Sequence, residues 1–199
     1  MTEKTPTWVL PAEPAPVRMM NTIWADTDGV HDDLTDGAAL RDWVAVVYDQ
    51  GAQEIGDPSR EELDEALLLR DSLRRLAAVT TEDSRPRAKS PIDALEQAVA
   101  GVNASVARLP HVQLTLREGR LECEDLPTGS ATSTALAVLA REAIDLFTGP
   151  AAGQLRACNA PGCVLYFLKS HPRREWCSEA CGNRVRAARH YQRTRARRQ

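Results

Sequence analysis

The sequence has no apolar run approaching the roughly eighteen residues that a membrane-spanning helix needs. Its first twenty residues carry Glu3, Lys4 and four prolines, where a secretory signal requires an unbroken apolar stretch. A soluble, cytoplasmic protein with no membrane partner is therefore expected. The sequence also lacks a Gly-rich phosphate loop, and no nucleophile stands beside a base at catalytic spacing, so a non-enzymatic protein is expected. The nearest approach to an acid–base or metal cluster is His31 with Asp28, Asp32 and Asp33. Neither helical ligand spacing nor a nucleophile accompanies it, and a solvated acidic loop accounts for it. From residue 182 to residue 199 there is no acid at all.

What is present is unevenly placed. The 199 residues have a formal net charge of −3, which conceals −12 over residues 1–150 (14 Lys and Arg against 26 Asp and Glu) and +9 over residues 151–199 (11 against 2). Such asymmetry directs the basic end toward nucleic acid or another acidic surface. Of the five cysteines, Cys158, Cys163, Cys177 and Cys181 lie within 24 residues, and Cys123 is alone upstream. A length near 200 allows one domain plus a small module, and three segments are expected: a Pro-rich arm over 1–17, a domain over 18–150 and a cysteine module over 151–199.

The composition of residues 1–17 predicts a flexible arm, with Trp8, Val9 and Leu10 free to dock. A short apolar piece, Met19 to Trp24, precedes an acidic loop from Asp26 to Asp36, and Asp36 caps a helix running from Ala38 to Val47. Ser59-Arg60-Glu61-Glu62 is a capping box that opens a helix with Leu63, Ala66, Leu69, Leu73 and Ala77 on its buried stripe. Ser90-Pro91 predicts a further helix start, with Pro at the first helical position, extending to about Leu109 and interrupted by Asn103. Alternation of Val112, Leu114 and Leu116, a turn at Glu118-Gly119, and Leu121 with Cys123 on the return predict a β-hairpin over 111–125 with Cys123 packed inward as a small hydrophobe. A last helix spans Ser130 to Phe147. The fold class is α+β: a mainly helical N-terminal domain with a β-hairpin, followed by a small module.

That module reads Cys-x4-Cys-x13-Cys-x3-Cys. Four thiolates complete a tetrahedral zinc site with no open position, the structural arrangement. Pro161-Gly162 turns the chain before Cys163, and the four-residue spacing of Cys177 and Cys181 puts both sulfurs on one side of a helical turn. Val164 to Leu168 is a strand candidate. A knuckle, a strand or hairpin, and a helix bearing the last two ligands make a treble-clef-like plan around one structural Zn2+, which supplies much of the folding free energy of so small a piece. Disulfide pairs, a redox switch and an iron–sulfur cluster would use the same residues; two close pairs without an export signal favour zinc.

After Cys181 follow seven arginines: Arg184, Arg186, Arg189, Arg193, Arg195, Arg197 and Arg198. On a helix, Arg186, Arg189, Arg193 and Arg197 share one side, leaving Val185 and Ala188 for the zinc module. Arginine suits bidentate contacts to phosphate or guanine, and a helix fits the DNA major groove. Arg173 and Arg174 add charge from the preceding turn. Asn183 and Arg184 also have the option of bonding cysteine sulfurs or knuckle carbonyls.

Trp176-Cys177 and Cys181-Gly182-Asn183-Arg184, with Leu155-Arg156 before Cys158 and Tyr191 in the basic helix, resemble the CGNR zinc-finger family. Asn21-Thr22, Asp33-Leu34, Leu40 with Trp43, Leu69-Arg70 and Asn103 resemble the ABATE domain of stress-induced transcription regulators. The resemblance implies that Cys158, Cys163, Cys177 and Cys181 bind zinc and that the chain regulates transcription. The expected partner is double-stranded DNA, making the protein nucleoid-associated when bound, with an N-terminal domain that senses a small-molecule effector or forms a homodimer. Two other classes of function remain: an RNA- or ribosome-associated protein using the same finger, and a ligand-binding domain for which the finger is a staple. A milder variant has the acidic part holding the basic helix against itself.

Overall fold

The structure, a computed structural model, describes residues 10–196. Its first element is helix α1 (Ala15–Met20), with Pro14 at the cap and Pro16 in the first turn, where a missing amide costs nothing. Pro16, Val17, Met19 and Met20 are buried, and so is Glu13. Residues 15–17 of the expected arm are thus the start of α1, where Pro14 and Pro16 open the helix. Residues 1–9, with Trp8 and Val9, lie outside the described residues.

The acidic loop is bent into a small antiparallel hairpin of β1 (Ile23–Ala25) and β2 (Val30–Asp32). Asp36 then accepts from the Ala39 amide at 2.8 Å and starts α2 (Gly37–Tyr48), followed by the short α3 (Ala52–Ile55). The capping box closes in both directions at the start of α4 (Arg60–Thr80): the Ser59 hydroxyl accepts from the Glu62 amide at 3.2 Å, and the Glu62 carboxylate from the Ser59 amide at 2.6 Å.

Helix α5 (Leu95–Val106) begins five residues later than Ser90. The Ser90 hydroxyl donates to the Asp71 carbonyl at 2.8 Å and accepts from the Ile92 amide at 3.1 Å, which pins residues 90–94 against α4 as a turn. Strands β3 (His111–Arg117) and β4 (Arg120–Leu126) form the predicted hairpin, and α6 (Ala131–Thr148) follows with Ser130 as its cap. The inward packing expected of Cys123 is corrected, since Cys123 is exposed and, among the described residues, its face of the hairpin meets no core.

The chain ends with β5 (Leu155–Ala157), β6 (Tyr166–Leu168) and α7 (Glu179–Ala196). One hydrophobic core gathers Val17, Met20, Leu40, Val44, Leu73 and Leu139, and it also takes in Leu155 and Tyr166 of the β5–β6 hairpin. The β5–β6 hairpin therefore shares the core of the helical body, although the charge division at residue 150 is sharp, while the four cysteines gather a second cluster with Leu165, Phe167 and Val185. No helix among the described residues is long and apolar enough to cross a membrane.

Candidate metal centre and its basic helix

The four clustered cysteines converge. The amide of Cys158 donates to the Leu165 carbonyl and that of Cys163 to the Ala160 carbonyl, each at 3.0 Å, closing a knuckle in which Gly162 takes a φ of 76°. The knuckle sits between β5 and β6, so the hairpin flanks it rather than following it. Cys177 precedes α7, and Ser178 caps that helix, its hydroxyl accepting from the Cys181 amide at 3.3 Å. Cys181 is thereby turned back onto Cys177.

All four sulfurs lie within 4.8 Å of one another, with Cys177 to Cys181 at 3.4 Å and Cys163 to Cys177 at 3.8 Å. Zn–S bonds of about 2.3 Å in a tetrahedron put sulfurs about 3.8 Å apart, so the set fits one such ion. The thiols are buried and unpaired by disulfides. Shared hydrogen bonds set them against one another: that with Cys163 lowers Cys158 to about 7, while Cys163 and Cys177 are driven up and Cys181 down. A bound cation resolves this conflict by favouring every thiolate at once. Four thiolates on a divalent ion leave net negative charge, and two arginines besides Arg174 stand against the cluster.

One is Arg184, whose Nη2 donates to the Cys181 sulfur at 3.3 Å and whose Nη1 donates to the Pro161 carbonyl at 3.2 Å. The other, Arg85, comes from the loop after α4. Its Nη1 donates to the carbonyls of Cys158 at 2.8 Å, Cys163 at 3.0 Å and Leu165 at 3.4 Å, while the rest of the guanidinium is held by Asp83 at 2.6–2.7 Å. Gly182 makes room beside the centre, because a Cβ there would sit 3.2 Å from Trp176 Cδ1 and 3.3 Å from Arg186 Nη1. Asn183 Oδ1 accepts from Arg186 Nη2 at 2.5 Å. The four residues of Cys181-Gly182-Asn183-Arg184 thus bind, clear, orient and neutralise.

The remaining predicted contact arginines divide into two groups. Arg173, Arg186, Arg189, Arg193 and Arg195 are exposed, whereas Val185, in the first turns of α7, is buried with the cysteine cluster. Arg174 is turned inward: Nη2 lies 2.6 Å from Glu13 Oε1 and donates to the Cys177 carbonyl at 3.0 Å, Nη1 donates to the Leu168 carbonyl at 3.0 Å, and the group covers the Phe167 ring. A buried carboxylate holds it at the centre, apart from the exposed arginines of α7. Arg197 and Arg198 lie outside the described residues.

Several residues hold the centre in place through contacts distant in the sequence. Asn21, at the end of α1, bonds both main-chain groups of Tyr166, and Glu13 Oε2 accepts from the Leu168 amide at 2.9 Å. The Tyr166 hydroxyl donates to Asp83 at 2.7 Å, between the guanidinium groups of Arg74 and Arg85. Burial pushes Tyr166 up to about 12; it also opposes the Asp83 carboxylate, but the Arg85 hydrogen bonds more than offset it and hold that group below its ordinary range. A polar Asn21 inside the apolar piece Met19 to Trp24 was the one local signal. Arg85 had none. His31 bonds Asp26 at 2.8 Å and Asp32 pairs with Arg70 at 2.6 Å, leaving the acidic loop as a hydrogen-bonded hairpin.

A family model described as “ABATE: Putative stress-induced transcription regulator” matches residues 13–150, and the CGNR zinc-finger model matches residues 154–194. No curated protein matches the chain. The boundary between the two matches falls just before β5, the strand whose Leu155 enters the common core.

Proposed function

Because the chain belongs to the ABATE family and carries a CGNR zinc finger at its basic end, we propose that it is a zinc-dependent DNA-binding regulator of transcription and not an enzyme. One structural zinc ion is held by Cys158, Cys163, Cys177 and Cys181. The observation that carries the reading is an outward row of arginines on a helix whose first turn is fixed by that centre. Arg186, Arg189 and Arg193 recur at three- and four-residue spacing over an 18-residue helix, about 27 Å long. Such a rod fits the major groove, with phosphate contacts positioning it and any base reading added to them.

Arg173 extends the basic surface, while Arg184 keeps one face of its guanidinium on the metal centre. Among the described residues, the ion pair joining the acidic and basic parts is Arg174 with Glu13, at the centre rather than on α7. The acidic body therefore repels nucleic acid from the wrong side without holding the arginines of α7. The ABATE part receives the stress signal, as an effector or a partner, in the cytoplasm, and the protein joins the nucleoid when bound.

The test is binding of the zinc-loaded chain to random-sequence duplex DNA across a salt series, with Cys177→Ser as the metal-free control. About four phosphate contacts give a slope of log K against log salt near −3.6. Affinity independent of salt, or equal affinity of the Cys177→Ser protein, overturns the reading. Tighter binding to structured RNA at the same salt moves the function to RNA.

A further inference from the structure

We propose that the β3–β4 hairpin is a dimerisation surface whose occupant is the same hairpin of a second copy of this chain. The cross-strand pairs are Val112 with Asp125, Leu114 with Cys123, and Leu116 with Leu121. Alternate residues of a strand share a face, so these three rows lie on one side of the ribbon. Val112, Leu114, Leu116 and Leu121 each keep 69–71% of their surface exposed, and Cys123 is exposed among them. The opposite side is polar apart from Leu126 at the base, with Arg117 paired to Glu124 at 2.9 Å. The hairpin has the alternation of a half-buried sheet, yet no other described residue covers the apolar half. An isolated two-stranded ribbon is marginal in water and needs a covering layer, and a contiguous apolar patch of this kind marks an interaction site.

Area, charge and symmetry select a second copy as that layer. At about 100 Å² per side chain the face offers roughly 500 Å², so two faces together remove about 1,000 Å², where specific interfaces begin. Asp125, at the base of the hairpin, is the face's one charge, so the surface offers no pattern for a strongly charged partner. Sheet faces stack well on each other, and an isologous contact needs only one self-complementary patch. When two copies stack antiparallel about a two-fold axis, the Leu116–Leu121 row of one meets the Val112–Asp125 row of the other. The middle row, Leu114 with Cys123, then meets itself, which places the two Cys123 thiols beside the axis and both Asp125 carboxylates at the rim.

The inference goes beyond the DNA-binding reading and is tested without nucleic acid. Sedimentation velocity of the full zinc-loaded chain, over about a hundredfold range of concentration reaching about 100 μM, is expected to show a doubling of mass. The variant carrying Leu114→Glu and Leu121→Glu should remain monomeric with an unchanged melting temperature, because both positions are exposed in the single chain. A short bismaleimide should link wild-type dimers through Cys123, with at least about tenfold less product from the double variant and none from Cys123→Ser. A wild-type protein monomeric throughout overturns the proposal, as does a dimer untouched by the double substitution or one that Cys123 does not link. Dimerisation that appears only after removal of residues 1–9 also overturns it, since the face would then belong to that segment.

Discussion

The side chain of Asn21 pairs with both main-chain groups of Tyr166: Nδ2 donates to the carbonyl and Oδ1 accepts from the amide, each at 2.9 Å. One carboxamide at the end of α1 thus takes the place of a neighbouring strand along the edge of β6. Asn21 and Tyr166 are both buried, so water cannot substitute. Asn21→Ala is expected to destabilise the zinc-loaded protein by about 2–3 kcal/mol, because a buried N–H and a buried C=O lose their partners. Equilibrium denaturation measures the loss, and hydrogen exchange at the Tyr166 amide should quicken in step with it. An unchanged denaturation midpoint would show that the finger is held without this contact.

The same docking makes metal removal a matter for the whole chain. Leu155 and Tyr166 belong to the core of the helical body, and Arg85 of that body grips the knuckle carbonyls. Chelation, or Cys177→Ser, is expected to lower the melting temperature of the body and the finger together by about 10 °C, several kcal/mol at about 2–4 °C each. Scanning calorimetry with and without chelator checks it. Two separate transitions, with the upper one unmoved, would mean that the parts are independent.

Arginines with inward and outward directions should separate experimentally. Arg174→Ala leaves the buried Glu13 carboxylate without its cation and is expected to cost about 3 kcal/mol of stability while the salt slope of DNA binding stays the same. Arg189→Ala with Arg193→Ala removes two exposed cations, so stability should stay within about 0.5 kcal/mol. The slope of log K against log salt should become shallower by about 1.8. Thermal melts and anisotropy titrations on the same two proteins settle the division, and interchanged outcomes would contradict it.

Features decided within a few residues were legible in the sequence. Asp36 and Ser59 cap the helices they were expected to cap, because the capping bonds span three positions. The cysteine spacing likewise brings the four sulfurs together, since a knuckle and a helical turn are local devices. Ser90-Pro91 carried a helix-start signal that Asp71, on another helix, redirects. Glu13, Asn21 and Arg85 were not legible as supports of the metal centre, because their partners lie 73 to 155 positions away. At Cys123 the alternation shows that a face is apolar and not what covers it.

Asp33 provides a pH test of the acidic hairpin. Its Oδ1 accepts from the Trp24 indole at 2.9 Å, and its Oδ2 is buried with no hydrogen-bond partner among the described residues. Burial pushes the carboxyl from 3.8 to about 6; the Trp24 bond opposes that rise, the Asp32 charge adds to it, and His31 and Arg70 oppose it from nearby. Between these two values the folded chain keeps a proton that the unfolded chain has released. The stabilisation linked to that proton is complete below the unfolded value, declines as pH rises through about 6, and is gone above it. Asp33→Asn keeps an acceptor for Trp24 without the charge, so the variant should gain on the wild type as pH rises from 5 to 8. For a half-exposed group, solvent screening reduces the expected gain to about 1 kcal/mol at the upper end. Paired denaturation curves across that range measure it. A difference that is constant with pH, or that grows toward acid, would show that Asp33 is solvated as an ordinary surface carboxylate.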